Sequence, residues 1–299
     1  MAKSIYVVLI SLVFQNTSAQ GTASLRKNLQ EIVAGKKCTV GIAISGENGN
    51  DTVSINGDKH LPMQSVFKFH IALAVLSAVD EGHFSLQQPI AITQKDLLTH
   101  TWSPLRDAYP NGATLTLAQI LEYTVSQSDN NGCDILLRLI GGPEKVEKYF
   151  AAIHQKDLSI KVSEEQMASD WNSQYLNWTT PKSAVELLTA FYTGHTLLSK
   201  PSFRFLLTIM KATVTGKDRI RGQLPIGTIV AHKTGTSGTD QKTGVTPAVN
   251  DIGIVFLPRG RTFFISVFVT DSKETAVTNE KIIAEVSRAA WDYFTGGKK

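Results

Sequence analysis

The chain predicts an α/β fold of the α+β kind, an antiparallel β-sheet flanked by helices and built from both chain ends, with an all-α domain inserted between them. Two observations carry this. β-Branched and aromatic runs of strand length cluster at the two ends, at 38–45 and 52–55 and again at 228–232, 251–257 and 262–270. Between them, apolar residues recur at three-to-four spacing over 65–79, 115–125, 131–139, 143–153, 181–193 and 201–211, the period of helices that bury one face.

Taken in order, 25–33 reads as a helix, and 38–45 hands over to 52–55 through the turn Gly46-Glu47-Asn48-Gly49-Asn50. Several of the middle helices begin at Thr, Ser or Pro, residues that open helices. After the last three strands, a helix over 280–294 closes the chain. The expected organisation is an export signal at 1–19, a sheet domain from 20–61 plus 212–299, an all-α domain at 62–211, and a ligand cleft between the two.

The bulk properties set limits. With 299 residues, 42% hydrophobic and 19% charged, the chain can bury a full core and has an ordinary globular composition. A formal charge of +4, or +3 once Lys3 leaves with the signal, is too slight and dispersed for a nucleic-acid footprint. Lys3, the apolar run Ile5 to Phe14 and the small residues Thr17-Ser18-Ala19 read as a cleavable signal. The apolar run falls short of the roughly 20 residues a membrane helix needs. The expected location is therefore the periplasm or the exterior, with no membrane attachment after cleavage. Cys38 and Cys133 are permitted a disulfide there, but they read more simply as two small hydrophobes, and neither has partners at metal-ligand spacing.

Three short strings carry chemistry: Ser65-Val66-Phe67-Lys68, Ser128-Asp129-Asn130 and Lys233-Thr234-Gly235. Alone, each has a bland reading. Ser65 is placed as a helix N-cap with Lys68 solvated, the second string is good turn chemistry, and the third is a glycine-bearing strand. Together they form a serine hydrolase site. Ser65 and Lys68, one helical turn apart, share a face. The helix N-terminus disfavours an ammonium and favours an oxyanion, so the pair reads as a nucleophile beside a proton acceptor. Ser128 reads as a proton relay to a leaving nitrogen, and Asn130 as a donor to a substrate carbonyl. Lys233, Thr234 and Gly235, continuing into Thr236 and Ser237, read as a cleft-lining edge strand that takes an anionic carboxylate. The N–H groups of Ser65 and Thr236 are candidates for an oxyanion hole.

These strings, in this order and spacing, resemble the serine β-lactamase and penicillin-binding protein superfamily, and class A β-lactamases within it. The stretches Met63-Gln64-Ser65-Val66-Phe67-Lys68, Thr101-Trp102-Ser103-Pro104, Glu164-Glu165-Gln166-Met167, Gln174-Tyr175 with Asn177-Trp178-Thr179, and His232 to Gly238 are similar to the VEB and PER extended-spectrum type. The resemblance covers essentially the whole mature chain and implies a β-lactamase/transpeptidase-like fold. It places Glu164 as the general base that activates water on a floor loop, with adjacent Glu165 the competing candidate. Arg219 would complete the carboxylate pocket, with nearby Arg221 easily confused with it, and Trp102 would be an aromatic gate. His70 is expected to pack behind the site and His232 to support it from behind.

The chain also departs from most class A enzymes. Ala168 stands where an asparagine usually helps hold the water, Val162 and Asn177 replace an Arg–Asp loop clamp, and Asp134 replaces a common asparagine. We expect from this a floor loop of non-standard backbone path, a wider site and a water held by other groups. The resemblance implies a monomeric, cofactor-free enzyme that acts on small-molecule β-lactams, including oxyimino-cephalosporins, and is sensitive to clavulanate-type inhibitors. The rival readings are a D,D-peptidase and a penicillin-binding sensor that stays acylated.

Overall fold

The computed structural model describes residues 22–49, 51–194 and 196–296. The export signal expected at 1–19 lies outside them. Helix α1 spans 22–33 and leads into strands β1 (Thr39–Gly46) and β2 (Thr52–Ile55). Two-residue β3 (Leu61–Pro62) precedes a 3₁₀ turn at Gln64–Val66 and helix α2 (Phe67–Asp80). A small hairpin pairs β4 (Pro89–Ile92) with β5 (Ala113–Thr116) around the short helix α3 (Pro104–Ala108). Helices α4 (Leu117–Ser126), α5 (Asn130–Ile140) and α6 (Pro143–Ala152) follow. Next come β6 (Leu158–Ser159), the short α7 (Glu164–Ser169) and β7 (Trp178–Thr179), then α8 (Pro181–Thr193) and α9 (Lys200–Lys211). Strands β8 (Val230–Thr236), β9 (Thr246–Phe256) and β10 (Thr262–Ser272) and helix α10 (Ala276–Thr295) complete the chain.

The main sheet has the order β2-β1-β10-β9-β8 and is antiparallel throughout, so strands from both chain ends meet at β1 and β10. Alternation along β10 shows why this sheet is buried on both faces. Phe263, Ile265, Val267 and Val269 join the core with α1 and α10, whereas Phe264 and Phe268 join the helical core around α2. Helix α2 is apolar nearly all round, with ten successive residues from Phe67 to Leu76 buried, and forms the axis of that core. β8 is the edge strand, as its sequence predicted, and its free side faces the helices.

The sequence differs from the structure mainly at boundaries. The 65–79 helix begins two residues later, so Ser65 lies in a 3₁₀ turn and Val66, not Ser65, is the N-cap. Residues 115–116 belong to β5, with Thr116 capping α4. β8 runs through Lys233-Thr234-Gly235 to Thr236. Cys38 and Cys133 are both free thiols; Cys133 is buried as expected and Cys38 half-buried. No helix among the described residues is long and apolar enough to cross a membrane.

Phe264 is fully buried between sheet and helices, against Tyr192 of α8. Phe264→Ala should therefore cost about 3–5 kcal/mol of stability in urea unfolding. A loss under about 1 kcal/mol would show that this face is not close-packed.

Candidate active site

Three segments converge on Lys68, which has no exposed surface. Its Nζ lies 2.8 Å from Ser65 Oγ, 2.8 Å from the Ser128 carbonyl and 2.8 Å from Glu164 Oε1, and also donates to Asn130 Oδ1. Four oxygens thus surround a group that has at most three N–H donors. Ser65 Oγ is itself 3.4 Å from Glu164 Oε1, so nucleophile, amine and carboxylate are mutually within reach. Glu164 is 8% exposed, whereas its neighbour Glu165 is exposed to solvent.

Ser128 bridges the two buried lysines. Its carbonyl accepts from Lys68, and its Oγ accepts from Lys233 Nζ at 2.8 Å. Ser128 has φ +59°, a left-handed conformation that costs a non-glycine residue about 1–3 kcal/mol. The surrounding bonds hold it there. Asp129 caps α5 by accepting from Gly132 N–H, and also accepts from Ser103 Oγ–H and Leu105 N–H, while Asn130 N–H donates to the Trp102 carbonyl. Burial pushes the Asp129 pKa up, partly offset by those donors. Lys233 is fully buried too, and burial, then the charge of Lys68, holds its pKa well below the usual lysine range.

The floor segment is fastened by its own residues in place of an Arg–Asp clamp. Asn177 Oδ1 accepts from Lys161 and Val162 N–H, and its Nδ2 donates to the Val162 carbonyl. Asp134 accepts from the N–H groups of Glu164 and Glu165 at 2.8 and 2.9 Å, which fixes the start of α7. On the other side, Gln64 donates to Gln174 Oε1 and Asn250 donates to the carbonyls of Pro62 and Met63, so the turn carrying Ser65 is tied to both floor and sheet. Gly235 is needed where β8 passes this turn: a Cβ there would sit 2.3 Å from the Met63 carbonyl oxygen.

The cleft between β8 and the helices is lined by Ser65, Trp102, Ser128, Asn130, Thr234 and Thr236, together with Arg219 and Thr215. Arg219 is buried, and Nη1 donates to the carbonyls of Gly235 and Asn250, Nη2 to Thr236 Oγ1 and Nε to Glu280 of α10. Arg221 turns instead to the Lys211 and Val230 carbonyls. Trp102 is 61% exposed at the mouth, with Nε1 donating to the Gln127 carbonyl. Ser237 reaches the end of β8, but its hydroxyl accepts from Ala248 N–H. His70, on α2, packs between Phe69 and Phe150, and burial lowers its pKa to about 4.

Some contributors are silent in the sequence. Thr215 meets Thr234 Oγ1 at 2.7 Å, and Thr101 accepts from Asn130. Asn250-Asp251 did leave a signal, as a polar pair inside an otherwise apolar strand run. A cavity of about 1000 Å³ lies between α1 and α10 and includes none of the cleft-lining residues, whereas the cleft itself offers about 220 Å³. Chemistry rather than size marks the site.

A five-stranded antiparallel sheet built from both chain ends, with helices inserted between them and a Ser–Lys–Glu cluster in the cleft, defines a serine hydrolase. A model of the β-lactamase enzyme family matches residues 24–294. The chain is 51% identical to β-lactamase VEB-1 of Pseudomonas aeruginosa over 98% of both chains, and 42% identical to extended-spectrum β-lactamase PER-1 of the same organism over 96% of this chain and 92% of that one. The crystal structure of TLA-3 extended-spectrum β-lactamase superposes with a TM-score of 0.90 at 48% identity, covering 93% of this chain and 100% of that one. The chain belongs to the β-lactamase enzyme family, as a class A serine β-lactamase.

Asp134 supplies a test of the floor. Burial raises its pKa from 3.8 to about 6, against the opposing N–H bonds from Glu164 and Glu165. Between those values the unfolded chain has lost the proton and the folded chain retains it, so ionisation favours unfolding. The stability contributed by Asp134 should be full below 3.8 and decline until about pH 6. In urea unfolding from about pH 4 to about pH 7, the wild type should lose stability relative to Asp134→Asn across that window; a relative gain would contradict the assignment.

Proposed function

We propose that this enzyme is an extended-spectrum β-lactamase that opens the amide of penicillins and cephalosporins through an ester on Ser65. The observation that carries the reading is the 2.8 Å approach of Lys68 Nζ to both Ser65 Oγ and Glu164 Oε1.

Ser65 Oγ attacks the lactam carbonyl carbon while Lys68 and Glu164 share the removal of its proton. The N–H groups of Ser65 and Thr236 stabilise the oxyanion. As the C–N bond breaks, Ser128 passes its hydroxyl proton to the leaving nitrogen and is reprotonated from Lys233, 2.8 Å away. Asn130 holds the substrate's side-chain carbonyl. Lys233, Thr234, Gly235, Thr236 and Arg219 receive its carboxylate, Ser237 borders the end of that strand, and Trp102 covers the mouth. Water then attacks the ester, Glu164 takes its proton, and Ser65 Oγ leaves and is reprotonated. The burial of Glu164 beside Ser65, against the exposure of Glu165, favours Glu164 as the base.

The extended-spectrum reading draws on PER-1 and TLA-3, which carry that description. We also read 1–19 as an export signal, 20–61 plus 212–299 and 62–211 as the two domains, and the mature enzyme as a periplasmic or secreted monomer.

Steady-state hydrolysis of nitrocefin, a penicillin and an oxyimino-cephalosporin tests the reading. The wild type should turn over all three many times, and Ser65→Ala should lower kcat/KM by about 10³-fold or more. A single stoichiometric burst from the wild type would point instead to a penicillin-binding sensor or a D,D-peptidase. Poor turnover of the oxyimino-cephalosporin alone would remove the extended spectrum.

A further inference from the structure

Behind β8, on the sheet face opposite Lys233, lies a buried pair for which the reaction above has no use. His232 and Asp251 have no exposed surface, and His232 Nδ1 lies 3.0 Å from each Asp251 carboxylate oxygen. The register sets this up. Thr234 pairs with Asp251 and His232 with Gly253, so alternation puts His232, Thr234 and Asp251 on one face. Gly253 makes the room, since a Cβ there would come within 2.9 Å of His232 Cβ. His232 Nε2 has no partner among the described residues, so the ring's side-chain bonding is committed to Asp251.

The pair is connected to the cleft at the 219–220 dipeptide. Asp251 Oδ2 accepts from Ile220 N–H at 3.3 Å, and the neighbouring Asn250 carbonyl accepts from Arg219 Nη1 at 2.9 Å. Residues 250–251 therefore grip 219–220 twice, once by the backbone of Ile220 and once by the guanidinium of Arg219. The same guanidinium donates to the Gly235 carbonyl and to Thr236 Oγ1, on the strand expected to take the substrate's carboxylate. A buried carboxyl group without its hydrogen-bond partners would be costly, so Asp251 needs His232 to stay in place.

We propose that His232 and Asp251 are positioning residues for recognition of the substrate's carboxylate: His232 orients Asp251, and Asp251 fixes Ile220 and hence the Arg219 guanidinium at the edge of β8. This rests on the reading of Arg219 as part of the carboxylate pocket. The charge of Asp251 acts in the same direction at Lys233, favouring its protonated form against burial and Lys68. The pair touches none of the reacting atoms, so its loss should appear in binding of the anion rather than in chemistry at Ser65.

The test compares a penicillin with its methyl ester, which lacks the anion, and follows kcat and KM separately. His232→Leu and Asp251→Asn should each lower the acid-over-ester ratio of kcat/KM by about tenfold, equivalent to 1.4 kcal/mol, with the change in KM for the acid. His232→Asn, whose amide can place an N–H near the position of Nδ1–H, should restore the ratio to within about twofold of wild type. In an Arg219→Ala background, which lowers the ratio itself, His232→Leu should add almost nothing. Asp251→Asn is nearly isosteric and gives the same readout if His232→Leu does not fold. Equal losses on acid and ester, failure of His232→Asn to rescue, or full additivity with Arg219→Ala would overturn the proposal. An Arg219→Ala enzyme with an unchanged ratio would instead remove the carboxylate-pocket reading on which it rests.

Discussion

The site depends on one buried amine. Lys68 is removed from water entirely, and a polar head group in that position is tolerable only when its hydrogen-bonding capacity is taken up. The oxygens that take it up come from the turn before α2, the turn before α5 and the start of α7, segments about 60 and 100 residues away from it in sequence. Satisfying one side chain therefore brings three parts of the chain to one point. The same requirement explains why the supporting bonds are so numerous: Asp129 fixes one turn, Asp134 and Asn177 fix the floor, and Asn250 fixes the approach to Ser65.

Lys233 is the second buried lysine of this arrangement, approaching from the sheet side. Ser128, held in a left-handed conformation, faces Lys68 with its carbonyl and Lys233 with its hydroxyl. The two amines are thus bridged by a single residue whose hydroxyl can both accept and donate. This makes the cleft a junction of the two cores, since α2 is the axis of the helical one and β8 is the edge of the sheet. A change that shifted β8 relative to α2 would disturb both lysines together.

Much of this was legible in the sequence because the signals are local. A strand's alternation, a helix's three-to-four period and the Ser-x-x-Lys spacing each report on neighbours within a turn or two. The long helices and central strands accordingly fall where periodicity predicts, and the three strings meet in one cleft. Positions fixed by distant partners were harder. The two-residue strands β3, β6 and β7 exist because they pair with one another, and nothing in Leu61-Pro62 or Leu158-Ser159 announces that. The i, i+3 spacing did announce the Ser65–Lys68 contact, but not that Ser65 would lie in a 3₁₀ turn before α2, with Gln64 at φ +46°. Thr101 and Thr215 are ordinary loop threonines until Asn130 and Thr234 are placed beside them. Arg219 and Arg221 are indistinguishable by pattern, and only the approach of Gly235 and Asn250 separates them.

Intact-mass spectrometry of Glu164→Gln mixed with a penicillin tests the central claim most directly. If the carboxylate beside Lys68 delivers water to an acylated Ser65, the variant should carry one covalent penicillin per chain for hours while the wild type returns to its unmodified mass within seconds. A Glu164→Gln protein that clears the adduct as fast as the wild type, or a wild type that keeps it, would contradict the account.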